Sequence, residues 1–292
     1  MRLYSSVIKL LSLHTVTIPR PGAQHAHGAF FDILRQVDPA LATEVHAIEG
    51  KRKRKPFTLS PIQGLPAKRR NGQEKADTIH LREGWECWLR VTLLDETLFR
   101  KFIEYFLDSP SPKGTAEIRL GDAHFLVSEI LTTPGSHPWA GFTTLEALQK
   151  RLDEPAPDSL SFEFHSPTSF KLGDHIELIP YPKLLFGNLA TAWKNLSGED
   201  MVEAIEKYAQ QNLQLTPHRL ERRALTLSNQ PQLGSAGKVE YRLLHPEDTP
   251  LARALNLLAD LAFYTGVGRK TTQGMGMTRR VETDLTKGAA NG

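Results

Sequence analysis

The sequence predicts an α+β chain made of two consecutive β-α-β-β-α-β halves. Three observations carry that prediction. A breaker-free strand opens each half, the helices that follow show apolar residues at three- and four-residue spacing, and a proline-containing stretch, 153–158, interrupts regular structure between them. With 292 residues, 40% of them hydrophobic, the chain can build two domains of ordinary size with real cores. The expected organisation is a first domain over 1–152, a linker over 153–158, a second domain over 159–283 and a disordered tail over 284–292.

Residues 2–13 are rich in aliphatic and β-branched side chains and read as the first strand. After Pro19, Pro21 and Gly22, residues 26–37 form a helix with Phe30, Ile33, Leu34 and Val37 on one face. A second helix restarts at Asp38 as N-cap, with Pro39 at its first position, and ends near His46 before Gly50. Residues 57–60 and 85–93 read as strands on either side of a basic loop. Residues 95–107 are a helix with an apolar face of Leu98, Phe99, Phe102, Ile103 and Phe106. Residues 116–120 and 125–131 are strands joined by Gly121-Asp122. The second half repeats the order: strand 160–164, helices 182–194 and 199–212, strands 223–227 and 238–244, helix 250–264 and strand 276–281. This order is the split motif of ferredoxin-like domains, which packs helices on one sheet face. The other face is then expected to be free to meet RNA, in the manner of an RNA-recognition motif.

The net charge of +3 hides a local bias. Lys51, Arg52, Lys53, Arg54 and Lys55 are followed by Lys68, Arg69, Arg70 and Lys75, with Glu74 the one carboxylate among them. Such a cluster is either the footprint of a polyanion partner or a solvated basic loop. Cys87 is the only cysteine, which excludes an intrachain disulfide and a Cys-based zinc site. The apolar run after Met1 is too short for a membrane span and lacks a signal-peptide pattern, so a soluble, cytoplasmic protein without a membrane partner is expected.

The most specific stretch is 266–276, with Gly266, Gly268, Gly274 and Gly276 around Arg269 and Lys270. It is not a Walker A loop, since Arg269 stands where glycine must precede the lysine. Nor is it a dinucleotide fingerprint, because position 271 is Thr and the stretch follows a helix. Glycines permit close backbone approach, and consecutive N–H groups can point at phosphates. From the residues alone, a structural hairpin and an RNA clamp are equally good readings.

Helix, Gly-hydrophobic-Gly, five residues, and Gly-hydrophobic-Gly near the C-terminus resembles the signature loop of the CRISPR repeat-RNA endoribonucleases of the RAMP superfamily. Residues 41–46 with 55–60 look like that family's active-site helix and following strand. Residues 164–170 resemble the opening of its second domain, and 184–189 with Trp193 the helix after it. The resemblance implies two tandem ferredoxin-like domains, with RNA on the sheet faces, in the cleft between domains, or both. It implies cleavage of precursor CRISPR RNA within repeats, with no metal and no cofactor, by attack of the ribose 2′-hydroxyl to give a 2′,3′-cyclic phosphate and a 5′-hydroxyl.

That chemistry needs two proton transfers and a cation. The resemblance assigns His46 as general base or acid; without it, His46 reads as a helix-end histidine satisfying terminal carbonyls. The resemblance gives Lys55 as the cation, with Lys51, Arg52, Lys53 and Arg54 close enough in sequence to compete. Where many members carry a tyrosine this chain has Phe31, so His25 or His27 is expected to supply the missing proton group. His25-x-His27 has only Asp32 as a nearby carboxylate, which argues against zinc. Expected RNA contacts are Arg52, Arg54, Lys68, Arg69, Arg70, Gly266, Gly268, Arg269, Lys270, Gly274 and Gly276, with His165, Lys171, His218, Arg219, Arg222 and Arg223 as further basic candidates. The implied partners are CRISPR repeat RNA and its guide product, with a CRISPR effector complex as a further candidate; a monomer and a homodimer both stay open. The alternative reading is a non-catalytic RAMP-type subunit that only binds RNA in such a complex.

Overall fold

The computed structural model describes residues 1–19, 23–48, 54–66, 78–108, 116–216, 219–227, 230–244 and 248–282. Lys51, Arg52, Lys53, Lys68, Arg69, Arg70, His218 and the expected tail lie outside the described residues. The chain groups into two compact units. One comprises Met1–Thr143 with Leu225–Pro231 and Thr272–Gly274; the other comprises Thr144–Ala224, Gln232–Thr271 and Met275–Gly292.

The first unit runs β1 (Arg2–Ser12), β2 (Val16–Pro19), α1 (Ala23–Val37), α2 (Pro39–Ala47), β3 (Phe57–Leu59), β4 (Thr78–Leu81), β5 (Glu86–Leu93), α3 (Glu96–Leu107), β6 (Glu117–Leu120), β7 (Ala123–Leu131) and β8 (Gly141–Thr144). Its main sheet has the order β3-β5-β1-β7-β6, with β8 also paired to β1. That is the ferredoxin-like order, with β1 central between its two antiparallel neighbours. Phe30, Leu34, Leu98 and Phe102 of α1 and α3 bury against Ile8, Leu10, Leu89 and Val91 on one face. Tyr4 stacks on Phe99 with ring centroids 3.6 Å apart. Asp38 accepts a hydrogen bond from the Leu41 amide, and Pro39 opens α2, as the sequence predicts. This cap fixes the start of α2 and so sets His46 in its last turn.

The opposite sheet face is not open at its centre, which corrects the expectation of a bare RNA-binding surface. Leu3, Ser5 and Val7 are fully buried, and so is Arg90 of β5. The segment before β8 lies over them: the Arg90 guanidinium stacks on the Trp139 ring at 5.2 Å, Ser5 donates to the Trp139 carbonyl, and His137 packs edge-on against Trp88. No periodic pattern in 132–140 announces this cover.

The second unit contains α4 (Leu145–Gln149), β9 (Ser159–Thr168), β10 (Phe170–Leu172), β11 (His175–Glu177), α5 (Pro182–Ser197), α6 (Val202–Asn212), β12 (Leu213–Leu215), β13 (Arg219–Leu227), β14 (Gln230–Leu243), α7 (Pro250–Thr265) and β15 (Thr278–Val281). Its sheet order is β12-β14-β9-β15, with β13 on β14, again a ferredoxin-like arrangement around a central first strand. Phe162, Phe186 and Tyr241 meet edge-on in its core. The 3₁₀ turn Lys150–Asp153 packs on α7, where Arg151 pairs with Asp260. Six of the short strands, β2, β4, β8 and β10 to β12, escaped the sequence reading. Among the described residues, no helix is long and apolar enough to cross a membrane.

Candidate active site and glycine-rich loop

The first site is built on α1, α2 and the chain entering β3. The buried Phe31 ring, 2% exposed, is its centre. His27, one turn earlier on α1, lies with its ring centroid 4.8 Å from that of Phe31. His46, from the last turn of α2, meets the same ring edge-on at 5.2 Å and is itself exposed. The Lys55 ammonium sits 5.9 Å from the Phe31 centroid and donates a hydrogen bond to the His46 carbonyl at 2.8 Å. Two imidazoles and an ammonium therefore gather around one apolar ring.

Their electrostatics follow from that placement. Burial pulls the pKa of His27 down to about 4, helped by the positive charge of Lys55 and by His46 and Arg35 nearby. His27 is consequently neutral at ordinary pH and able to accept a proton. Lys55 binds a carbonyl at the C-terminus of α2, where the helix dipole favours a cation. The helix-end carbonyl of His46 is thus satisfied by Lys55, while the exposed position of the imidazole leaves it accessible to a ligand.

Of the two candidates for the missing proton group, the structure brings only His27 to this cluster. His25 lies over the β6–β7 turn, so close that a Cβ on Gly121 would stand 3.2 Å from its Cδ2. Among the described residues, no group of three His, Cys, Asp or Glu side chains is placed to hold a metal ion. Arg54 departs from the expectation of a charge offered to RNA at the surface. Its stem is partly exposed, but both terminal guanidinium nitrogens are buried without a hydrogen-bond partner among the described residues, and burial lowers its pKa to about 10. Nothing in the sequence of the basic run sets it apart from Lys55.

The glycine-rich loop, whose Thr272–Gly274 group with the first unit and the rest with the second, uses its amides in a way the sequence did not reveal. Its amides are spent inside the protein: Val267 donates to the Gly276 carbonyl, Arg269 to that of Ser169, Gly276 to that of Pro167 and Met275 to that of Lys270. The Gly268 amide donates to Oδ1 of Asn188 on α5 at 2.9 Å. The expected row of amides aimed at phosphates is therefore not available at these five positions. The glycines serve close packing. A Cβ on Gly268 would lie 2.4 Å from the Ser169 carbonyl oxygen and one on Gly276 2.1 Å from that of Val267, both at positive φ. Lys270 holds φ 57°, the one positive-φ residue other than glycine among those described.

What the loop offers outward is side-chain charge. Arg269 lines a cavity of about 360 Å³ with Lys171, Lys183, Asn188 and Glu206, between α5 and β10. Asn188 lies in the segment that carried the family resemblance, yet no role for it is legible there, because its partner is distant in the chain. His165 instead points its Nδ1 at Glu163, 3.4 Å away, and Glu163 also pairs with Arg279.

A family model described as the CRISPR Cas6 N-terminal domain matches residues 2–150, and one described as CRISPR-associated endoribonuclease Cas6 matches residues 162–278. Among solved structures, a Cas6 product complex is 29% identical, covers 96% of this chain and 100% of that chain, and superposes with a TM-score of 0.74. A second Cas6 product complex is 27% identical, with 97% and 100% coverage and a TM-score of 0.69. A Cas6 from Thermus thermophilus is 26% identical, with 96% and 98% coverage and a TM-score of 0.70. A RAMP protein described as binding different RNA substrates shares the fold at 16% identity and a TM-score of 0.57, over 96% of this chain and 100% of that chain. No curated protein sequence matches the chain.

Proposed function

The chain belongs to the Cas6 family of CRISPR-associated endoribonucleases, and from that premise we propose that it cuts CRISPR repeat RNA without a metal, using His27, His46 and Lys55. The observation that carries the reading is the convergence of these three side chains on Phe31.

In the proposed reaction, neutral His27 takes the proton of the ribose 2′-hydroxyl as that oxygen attacks the adjacent phosphorus. Protonated His46 gives a proton to the departing 5′-oxygen as the P–O5′ bond breaks. The products are a 2′,3′-cyclic phosphate and a 5′-hydroxyl, and no water is consumed. Lys55 steadies the extra negative charge on the non-bridging oxygens. Phe31 supplies the apolar support that sets both imidazoles and keeps His27 unprotonated, so its ring answers the absence of a tyrosine hydroxyl with a second histidine. Arg269 and Lys171, at the cavity beside the glycine loop, are proposed to hold the RNA backbone. That two similar proteins were solved as product complexes supports RNA as the substrate class.

Incubating the protein with CRISPR repeat RNA in EDTA tests this. The expected result is a single cut whose upstream fragment ends in a cyclic phosphate. RNA that binds but stays intact would instead identify a non-catalytic RNA-binding subunit.

A further inference from the structure

We propose that a second cavity of the first unit, set between α1, α3 and β6, reads one guanine base near the cut; this rests on the nuclease reading above. The cavity holds about 390 Å³; its polar lining is Asp32, Arg35, Gln36, Tyr105, Glu117, Arg119 and His124, and its apolar lining is Ala29, Ile33 and Ile118.

Its chemistry selects a base over a phosphate. Carboxylates weaken the hold on a phosphate, and this cavity is lined by Asp32 and Glu117 as well as by Arg35 and Arg119, with Arg35 paired to Asp32 at 2.5 Å. Guanine is the base whose edges match both charges. Its N1–H and exocyclic N2–H₂ present adjacent donors to a carboxylate, and its O6 and N7 present adjacent acceptors to a guanidinium. Tyr105 gives an aromatic wall, oriented by the hydrogen bond from its hydroxyl to the Glu117 carbonyl at 2.7 Å.

The position ties the cavity to the cut. Arg35 lines it and also stands close enough to His27 to depress that imidazole's pKa. His27 and the buried Phe31 lie on one side of α1, while the buried Ala29 and Ile33, with Gln36, lie on the other. The two sites are thus separated by about the 10 Å diameter of a helix and about 13 Å of rise between His27 and Gln36. An extended RNA strand crosses that distance in a few nucleotides.

Cleavage of CRISPR repeat RNAs in which each guanine near the cut is replaced in turn by inosine, which lacks only the N2 amino group, tests the proposal. At one position inosine is expected to raise KM about five- to a hundredfold, the range for one bidentate base contact, with kcat changed less than twofold. The same RNA should be cut by Glu117→Gln or by Asp32→Asn with no further penalty, since the carboxylate partner is already gone. Equal inosine penalties in wild type and both variants, or no penalty at any position, would overturn the base-reading site. A wild-type protein that leaves every repeat RNA intact would sink the nuclease reading instead. Thermal melting of both variants separates a lost contact from a lost fold.

Discussion

Lys55 closes the helix that carries His46: its ammonium donates to the His46 carbonyl at 2.8 Å, so the proposed acid and the proposed oxyanion partner are held by one hydrogen bond. Removing Lys55 therefore loosens the histidine as well as deleting the charge. Lys55→Met is expected to slow single-turnover cleavage about 10²- to 10³-fold, the usual cost of one transition-state donor. Lys55→Arg keeps the charge and the ability to cap the helix, and should recover part of that loss. Equal rates for Lys55→Met and wild type would remove Lys55 from the chemistry.

His46→Ala deletes an exposed side chain that stabilises little, since its ring only edges against Phe31. Cleavage is expected to fall by about 10²- to 10⁴-fold, while RNA affinity stays within about twofold. A gel-shift titration beside a cleavage time course checks both halves. Cutting at the wild-type rate would show that another group moves the second proton.

The pH profile follows from His27. Its pKa in the folded protein is lowered from the ordinary 6.5 to about 4, so it stays unprotonated well into acid. The acid limb of kcat/KM, which reports the free enzyme's base, should fall well below pH 6.5. Relieving the neighbouring charge with Arg35→Gln moves that limb to higher pH. For stability the sign is the same: the unfolded chain binds a proton at His27 between about pH 4 and 6.5 and the folded one does not. Stability therefore rises with pH through that window and is lost as pH falls. An acid limb centred at or above pH 6.5 would rule out His27 as the base.

Much of this site was legible in the sequence, and the reasons for the gaps are physical. Asp38-Pro39 dictates where α2 starts, which places His46 at its end and Lys55 within reach of it. The choice between His25 and His27 was open because both precede the apolar face that phases α1; which of them meets Phe31 depends on the helix phase, and it is His27. The glycine spacing marked the loop, but its amides find partners in Asn188, Ser169 and Pro167, far away in the chain. Nothing local distinguishes Arg54, with its buried guanidinium, from the lysine beside it.

Arg54 gives a stability prediction. A buried guanidinium that finds no partner among the described residues keeps its desolvation cost with no hydrogen bond there to offset it. Arg54→Met keeps the stem and removes the charge, and should raise the melting temperature by a few degrees, or about 1 kcal/mol. A drop in melting temperature would mean that the guanidinium stabilises the fold.

The glycine loop separates packing from binding. Gly268→Ala puts a methyl group 2.4 Å from the Ser169 carbonyl oxygen at φ +83°, and Gly276→Ala puts one 2.1 Å from that of Val267. Each change must displace backbone, with a cost of about 2 kcal/mol or more. Both variants should therefore melt early and lose RNA binding only in proportion to the protein unfolded. Arg269→Ala touches none of that packing, because the Ser169 contact is made by its amide. It should melt like the wild type, bind RNA more weakly and show a shallower salt dependence, by about one phosphate contact. If Arg269→Ala left affinity and salt slope unchanged while the alanine variants lost binding at full stability, the loop's backbone, and not its charge, would be the RNA contact.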